Sequence, residues 1–353
     1  MVNYLVVGLG LAGISFCETL AQNNKTFKVI ADNSQTSSVV AGGLYNPVIL
    51  KRFTLAWYAK QQLDIALPFY KALEKKLQVQ LDYKIPVIRR FASVEEQNMW
   101  FEAMDKPSLS YFLSPKIIQN KNANIDANFG YGEVLHTGRI DTKELLFTYK
   151  NYLISKNALL QETFNFNALT IEDDCINYKG IKAEKIIFAT GFGLKNNPYF
   201  NYLPLNGTKG ELLTIKAPDL KEESVIKSSV FIIPMGNSLY RVGATFNRDD
   251  KTNNTSKAAK EELLTKLTTF LKCNYEVVDH KAGVRPTVAD RKPLVGEHPK
   301  YKNIFVLNGF GSRGVMAGPY AAQQLYNFIE NNQALTPEID CKRFIKRYFA
   351  SVS

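Results

Sequence analysis

Cysteine and histidine are scarce in this chain of 353 residues, which holds four of the first and three of the second. Cys17, Cys175, Cys273 and Cys341 stand far apart with no Cys-x-x-Cys pair, which excludes a disulfide framework and a zinc ribbon. His136, His280 and His298 are equally scattered, so no His-built centre is expected and no metal is assigned. Long apolar runs are also missing. The opening from Tyr4 to Leu20 is broken by Gly8, Gly10, Gly13 and Glu18, and no Lys or Arg precedes it. It fits neither a secretory signal nor a membrane span, and a cytoplasmic location is expected. No repeat of roughly 20 to 50 residues is present, which removes solenoids and propellers. Acidic residues are in deficit: 33 against 44 Lys and Arg leave a net charge of +11. That balance admits an anionic partner without identifying one. The remainder is globular in composition, 45% hydrophobic and 22% charged, enough for a sizeable core and two domains.

The apolar run Tyr4-Leu5-Val6-Val7 reads as a buried parallel strand, and Gly8-Leu9-Gly10-Leu11-Ala12-Gly13 follows at once. Helical spacing from Ile14 to Gln22 comes next, then a second strand from Phe27 to Ala31 ending in Asp32. This is a Gly-x-Gly-x-x-Gly within a strand-helix-strand unit, with an acid at the expected distance. Gly8 allows the tight turn, Gly10 lets the backbone approach a diphosphate, and Gly13 lets helix and strand pack closely. The diphosphate would sit on the helix N-terminus and Asp32 would accept from ribose hydroxyls. A dinucleotide is therefore expected, FAD or NAD, against the alternative of a glycine-rich turn in some other α/β protein. For Asp32 the alternative is an ordinary turn residue at a strand end.

Farther along, residues 54 to 78 and Glu95 to Met104 carry helical spacing, and Val79 to Phe91 alternates like a strand. Lys185 to Gly191 reads as a buried strand entering a glycine turn. Three antiparallel strands are expected at Glu211 to Ile215, Ser229 to Ile233 and Ser238 to Ala244, then a helix from Ala258 to Cys273. The chain returns to strand (Asn303 to Leu307), glycine turn and helix (Pro319 to Asn331). Parallel units at both ends and antiparallel strands between them predict an α/β fold: a Rossmann-like nucleotide-binding domain with an inserted α+β antiparallel-sheet substrate domain. The expected boundaries are 1–80, 141–205 and 284–353 for the first, and 81–140 and 206–283 for the second.

Several blocks together resemble the FAD-dependent amino-acid oxidase superfamily over essentially the whole chain. They are Gly8 to Gly13, Ala41-Gly42-Gly43-Leu44, Phe188-Ala189-Thr190-Gly191, Ala282-Gly283-Val284-Arg285-Pro286-Thr287, and Gly309-Phe310-Gly311-Ser312-Arg313-Gly314. Within that superfamily, Ala41 to Pro47 and Gly311 to Pro319 are most similar to the oxidase domain of bifunctional enzymes that build 5-(methylaminomethyl)uridine in tRNA. Their methyltransferase half is not expected here, since residue 4 already reads as part of the nucleotide-binding fold, and Asn46 and Val315 to Gly318 depart from their motif. The resemblance implies FAD as cofactor, preferred on these blocks over NAD. It implies hydride transfer from the carbon beside an amine, with the substrate a carboxymethylaminomethyl group on a tRNA wobble uridine. Free glycine, sarcosine or a D-amino acid is the alternative, and a non-catalytic flavoprotein module that binds RNA is a third. No DNA or membrane partner is expected.

The same resemblance implies roles for particular residues. Arg285 would hold the substrate carboxylate through a bidentate pair, against a structural role capping carbonyls. Arg313 would place a cation near the reduced flavin or contact substrate. Gly309, Gly311, Ser312, Gly314 and Val315 would let the backbone approach one side of the ring, and Gly42, Gly43 and Leu44 the other, with Thr190 and Gly191 also at the cofactor. Tyr240 is a candidate to line the substrate site, since alternate residues of its strand face the pocket. Lys209 is expected to be a solvated turn lysine, against the alternative that it approaches the flavin, His280 a structural histidine rather than a base, and His136 and His298 turn residues without a catalytic role. Basic clusters at Lys51-Arg52, Lys71 with Lys75 and Lys76, Arg89-Arg90, and Lys342-Arg343 with Lys346-Arg347 are candidate RNA contacts or solvated faces.

Overall fold

The computed structural model describes residues 1–172 and 175–352. Apolar, β-branched runs that are buried on both faces become parallel strands at its centre. Val2–Val7 pairs in parallel with Phe27–Ile30 on one side and Ile181–Phe188 on the other, and Ile304–Asn308 continues the parallel set beyond Ile181–Phe188. The carboxyl ends of these strands run into glycine-containing turns on one edge of the sheet, at Gly8, Gly191 and Gly309. That edge is where open α/β sheets take ligands. Helices Leu11–Gln22 and Gly314–Glu330 cover one face.

A second sheet has eight strands in the order Glu276–Arg285, Thr208–Lys216, Leu239–Gly243, Phe231–Gly236, Val225–Lys227, Val87–Arg90, Tyr131–Val134, Leu113–Ile118. All its pairings are antiparallel except Val225–Lys227 with Val87–Arg90. One face packs on helix Lys257–Thr268 through Leu213, Ile215, Val242, Leu263 and Leu267, all fully buried. The other face looks toward the glycine turns of the first sheet.

Several elements differ from the sequence expectation. The helix over 54–78 begins only at Ala59, because Thr54–Leu55 pairs with Val48–Ile49 as a short hairpin. Val79 to Phe91 is not one strand: Asp82–Tyr83 and Val87–Arg90 belong to different sheets, with Pro86, which lacks a ladder donor, between them. The helix expected at Pro319 starts five residues earlier at Gly314, and the one expected to reach Cys273 stops at Thr268. No helix among the described residues is long and apolar enough to cross a membrane.

Candidate active site

The first glycine turn is built by packing. Gly8 has φ +102°, and a Cβ there would lie 2.5 Å from the Ala189 carbonyl oxygen. A Cβ on Gly13 would lie 2.0 Å from the Gly8 oxygen, so helix and strand touch backbone to backbone. At Gly10 a Cβ would meet only Ser38 Oγ, at 3.2 Å, and the residue otherwise faces open cavity. Gly10 is also the N-cap of helix Leu11–Gln22, which has no capping side-chain bond and no acid in its first turn. The first N–H, of Leu11, donates to Ser38 Oγ at 3.3 Å, while those of Ala12 and Gly13 and the helix dipole are available to an anion. Thr190, on the neighbouring strand end, has a buried hydroxyl with no hydrogen-bond partner, and the residue lines the same cavity.

Asp32 sits at the end of the second strand and accepts from Ser34 N (3.0 Å), Ser34 Oγ (2.6 Å) and Thr163 Oγ1 (2.8 Å). Partial burial pushes its carboxyl up, but the bonds from Ser34 and Thr163 outweigh that and hold it below the usual aspartate range. It also lines the cavity, so the strand-end turn and a ribose contact are compatible roles.

The glycines of the two other blocks divide by cause. Gly311, at φ +56°, has only Thr287 Oγ1 near its Cβ direction, at 3.9 Å, and opens on the cavity. Gly309, at φ +81°, and Gly314 line the cavity as well but pack closely against the side chains of Val288 (2.6 Å) and Leu11 (3.0 Å). The same holds for Gly43, whose Cβ would strike the Ile140 oxygen at 1.9 Å, and Gly42, which lies under Ile233 of the second sheet. Leu44 and Ser312 line the cavity too, as does Val315, whose carbonyl accepts from Tyr70 Oη at 3.0 Å.

Two arginines enter the cavity from different elements. Arg285 ends strand Glu276–Arg285, and its guanidinium lies flat over Gly210, whose absent side chain would otherwise sit 1.9 Å from Nη2. Long bonds to the Thr245 oxygen, 3.3 and 3.4 Å, orient it. Burial pulls it below the usual arginine value. Arg313 is the N-cap residue of helix Gly314–Glu330, similarly desolvated and with Arg291 as a charged neighbour. Neither has an acidic partner within ion-pair distance among the described residues.

Tyr240 is not at this site. It is 5% exposed, faces the core under helix Lys257–Thr268, and its hydroxyl accepts from Glu222 N at 3.1 Å. The strand's alternation puts Tyr240 on the far face and Arg241, bonded to the Val40 and Ala41 oxygens, on the near one. Lys209 is not a solvated turn residue: it lies within strand Thr208–Lys216, 1% exposed, with Nζ 2.5 Å from Asp250 Oδ2 and 3.4 Å from Glu211 Oε1. His280 Nε2 sits 2.9 Å from Glu211 Oε2, a structural position as expected. His298 is buried among aromatic rings and Nδ1 accepts from Lys300 N and Tyr301 N; desolvation lowers it to about 4. His136 stacks on Tyr111. No histidine lines the cavity among the described residues.

Sequence reasoning missed Lys227. It lies on the cavity face of strand Val225–Lys227, with Nζ 4.5 Å from the centre of the Phe231 ring. No pattern in the sequence separates it from a surface lysine.

The chain matches the family described as DAO, FAD dependent oxidoreductase, over residues 3–327. It belongs to this family. Among curated proteins, glycine oxidase of Bacillus subtilis (strain 168) is 23% identical over 355 residues, covering 93% of each chain. A tRNA 5-methylaminomethyl-2-thiouridine biosynthesis bifunctional protein of Legionella pneumophila (strain Corby) is also 23% identical, over 55% of this chain but only 34% of that protein. Among solved structures, glycine oxidase from Geobacillus kaustophilus aligns with a TM-score of 0.79 at 16% identity, covering 97% of both chains. Iminodiacetate oxidase from Chelativorans sp. BNC1 aligns at 0.77 and 17%, covering 95% and 97%.

As a member of the DAO family the chain is an oxidoreductase with FAD as cofactor, and the cavity fits that group. Its volume is about 1580 Å³, and Asp32, Glu162, Arg285 and Lys227 are all among the residues that line it. A drug-sized ligand takes roughly 300–1,000 Å³, so a dinucleotide and a small substrate have room together. The Ala12 and Gly13 N–H groups at the helix N-terminus, the unpartnered Thr190 hydroxyl and the open face at Gly311 supply donors and clearance in it.

Proposed function

We propose that this protein oxidises the C–N bond of an amine that carries a carboxylate one carbon away, an N–CH2–COO unit. The observation that carries the reading is Arg285: a desolvated guanidinium without an acidic partner, aimed into the cavity and fixed by Thr245. Such a group is costly to hold without an anion, and its planar fork matches a carboxylate. When bound, FAD accepts the hydride from the substrate carbon, leaving an imine that water hydrolyses. The chain's own part is binding and orientation. Arg285 would hold the carboxylate, Gly210 leaves room for its guanidinium, and Arg313, which lines the same cavity, would supply positive charge to the bound cofactor.

The diphosphate is assigned to Gly8, Gly10, Leu11, Ala12 and Gly13, and the ribose to Asp32. The flavin side is assigned to Gly42, Gly43, Leu44, Thr190, Gly191, Gly309, Gly311, Ser312, Arg313, Gly314 and Val315. Segments 1–80, 141–205 and 284–353 form the FAD-binding domain in this reading, and 81–140 with 206–283 the substrate domain. The acidic residues lining the cavity are Asp32, Glu162 and Asp290, and Asp290 is taken by Arg343. Among the described residues no free carboxylate or histidine stands in the cavity beside Arg285, so in this reading the amine arrives neutral, having lost its proton to water.

Two kinds of nitrogen substituent are compatible with this unit. A small one, as in free glycine or sarcosine, suits a chain that matches a glycine oxidase end to end. The wobble uridine of tRNA is the second reading, favoured by the net charge of +11 and by the cavity-lining cations Lys51, Arg291 and Lys292. Against it, part of the basic surface is used internally: Lys76 pairs with Glu18, Arg89 with Glu96 and Arg343 with Asp290. Anaerobic mixing of the oxidised protein with sarcosine, glycine and modified tRNA, followed by flavin bleaching at two salt concentrations, tests both. Bleaching by a small substrate, insensitive to salt, supports the first. Bleaching by tRNA alone, falling steeply with salt, supports the second. Absence of bleaching by any carboxylate-bearing amine would refute the N–CH2–COO reading.

A further inference from the structure

Lys227 presents a problem that the proposed function leaves unexplained. Its ammonium is largely desolvated, lines the cavity and has no carboxylate within ion-pair distance among the described residues. Its charged neighbours are cations. Arg89 stands directly across on the parallel strand, and Lys266 and Lys51 lie near enough to oppose its charge. Glu96 and Glu262 are already engaged by Arg89 and Lys266. Like charges on adjacent strands destabilise a sheet, and a desolvated cation without a partner adds to the cost. A hydrophobic residue on Phe231 would be cheaper, so the position is explained by an anion that arrives from outside.

The register fixes how far that anion lies from Arg285. Lys227 pairs with Phe231, Phe231 with Gly243, and Gly243 with Leu212, one row across the cavity face. Leu212 is two residues along its strand from Gly210, on which the Arg285 guanidinium rests. Three strand steps of roughly 4.8 Å and two residues of roughly 3.4 Å put the two backbone positions roughly 16 Å apart. The Arg285 guanidinium already lies at Gly210 and Lys227 lines the same cavity, so a short molecule with an anion at each end would fit between them once the lysine extends along that row.

We propose that Lys227 is a second anion-binding position of the substrate chamber. The preferred substrate is then a small secondary amine with one carboxylate on Arg285 and a second, on the nitrogen's other substituent, on Lys227. This rests on the N–CH2–COO reading for the first carboxylate and adds the class of the other arm.

The test uses the FAD-loaded protein and two thioethers that cannot donate a hydride from beside nitrogen: (methylthio)acetate, with one carboxylate, and thiodiacetate, with two. Binding is followed by perturbation of the flavin absorbance. Wild type is expected to bind thiodiacetate at least tenfold more tightly. Lys227→Met is expected to abolish that preference while leaving (methylthio)acetate within twofold, and Lys227→Arg to keep most of it. Arg285→Ala should weaken both ligands, which separates failure of the first carboxylate site from failure of the second. Equal binding of the two thioethers by wild type, or an unchanged preference in Lys227→Met, would overturn the proposal. So would a Lys227→Met effect confined to an anticodon stem-loop, which would assign the lysine to RNA phosphate. A holoprotein that binds neither thioether would overturn both assignments.

Discussion

Gly13→Ala and Gly10→Ala should separate what the fold demands from what the cofactor demands in a single motif. At Gly13 the added carbon would sit 2.0 Å from the Gly8 oxygen, whereas carbon and carbonyl oxygen rarely approach closer than roughly 3.3 Å. Helix Leu11–Gln22 must therefore move off strand Val2–Val7 by more than about 1 Å. Both partners are backbone, so no side chain can turn away. Overpacking of this kind costs about 1–3 kcal/mol, and a backbone clash belongs at the upper end. The better helix propensity of alanine returns about 1 kcal/mol at most. The net loss is about 2 kcal/mol, or roughly 4–8 °C in Tm. At Gly10, φ −85° and ψ −167° are open to alanine, and the new methyl meets only Ser38 Oγ, which can rotate. Its stability cost is below about 1 kcal/mol, but the methyl projects into the cavity where the diphosphate is assigned. Circular dichroism of the flavin-free proteins and FAD titration by fluorescence quenching would measure the two effects separately. Gly13→Ala should melt early without FAD, and Gly10→Ala should melt near wild type yet bind FAD at least tenfold more weakly. A flavin-free Gly13→Ala protein with wild-type Tm, or unchanged FAD affinity in Gly10→Ala, would refute the division.

Arg285→Met should remove about 3 kcal/mol or more of carboxylate binding while leaving the flavin-free protein as stable as wild type or more so, because an unpaired desolvated charge is lost. Isothermal titration and thermal unfolding check the two halves, and a strongly destabilised variant would mean that the arginine is a structural cap. Tyr240→Phe removes one hydrogen bond and should cost about 1 kcal/mol or less, with the rate of anaerobic flavin reduction unchanged; a tenfold slower rate would return Tyr240 to the site. Asp250 is held at about 2, first by its bond from Lys209 and then by those from Thr252. A carboxyl depressed on folding stabilises the native state above its unfolded pKa and loses that contribution as pH falls through the folded value. The stability of the flavin-free protein against unfolding should therefore fall between about pH 4 and pH 2, and Lys209→Met should flatten that slope; an identical slope would mean that the ion pair is not maintained in solution.

The sequence by itself determined the nucleotide-binding half. A buried parallel strand, a glycine turn and a helix are local events, and the Gly13 contact with the Gly8 oxygen lies within the motif itself, although the close approach of Gly8 to Ala189 does not. The same locality made Asp32, Thr190 and Gly311 legible as residues at one sheet edge, since each directly follows a strand. Tertiary structure alone decided which face of each strand in the second sheet looks inward. Alternation says that Tyr240 and Arg241 face opposite ways but not which way, and only packing under helix Lys257–Thr268 sends the tyrosine to the core. Lys209 reads as a turn lysine because its acidic partners, Glu211 and Asp250, become partners only once strand and loop are folded together. Gly43 and Gly309, read as flavin contacts, line the cavity and are also held by packing against Ile140 and Val288, residues distant in sequence. Lys227 was invisible for the same reason: an unpaired charge is defined by the absence of neighbours, and neighbours across a sheet are set by register rather than by sequence.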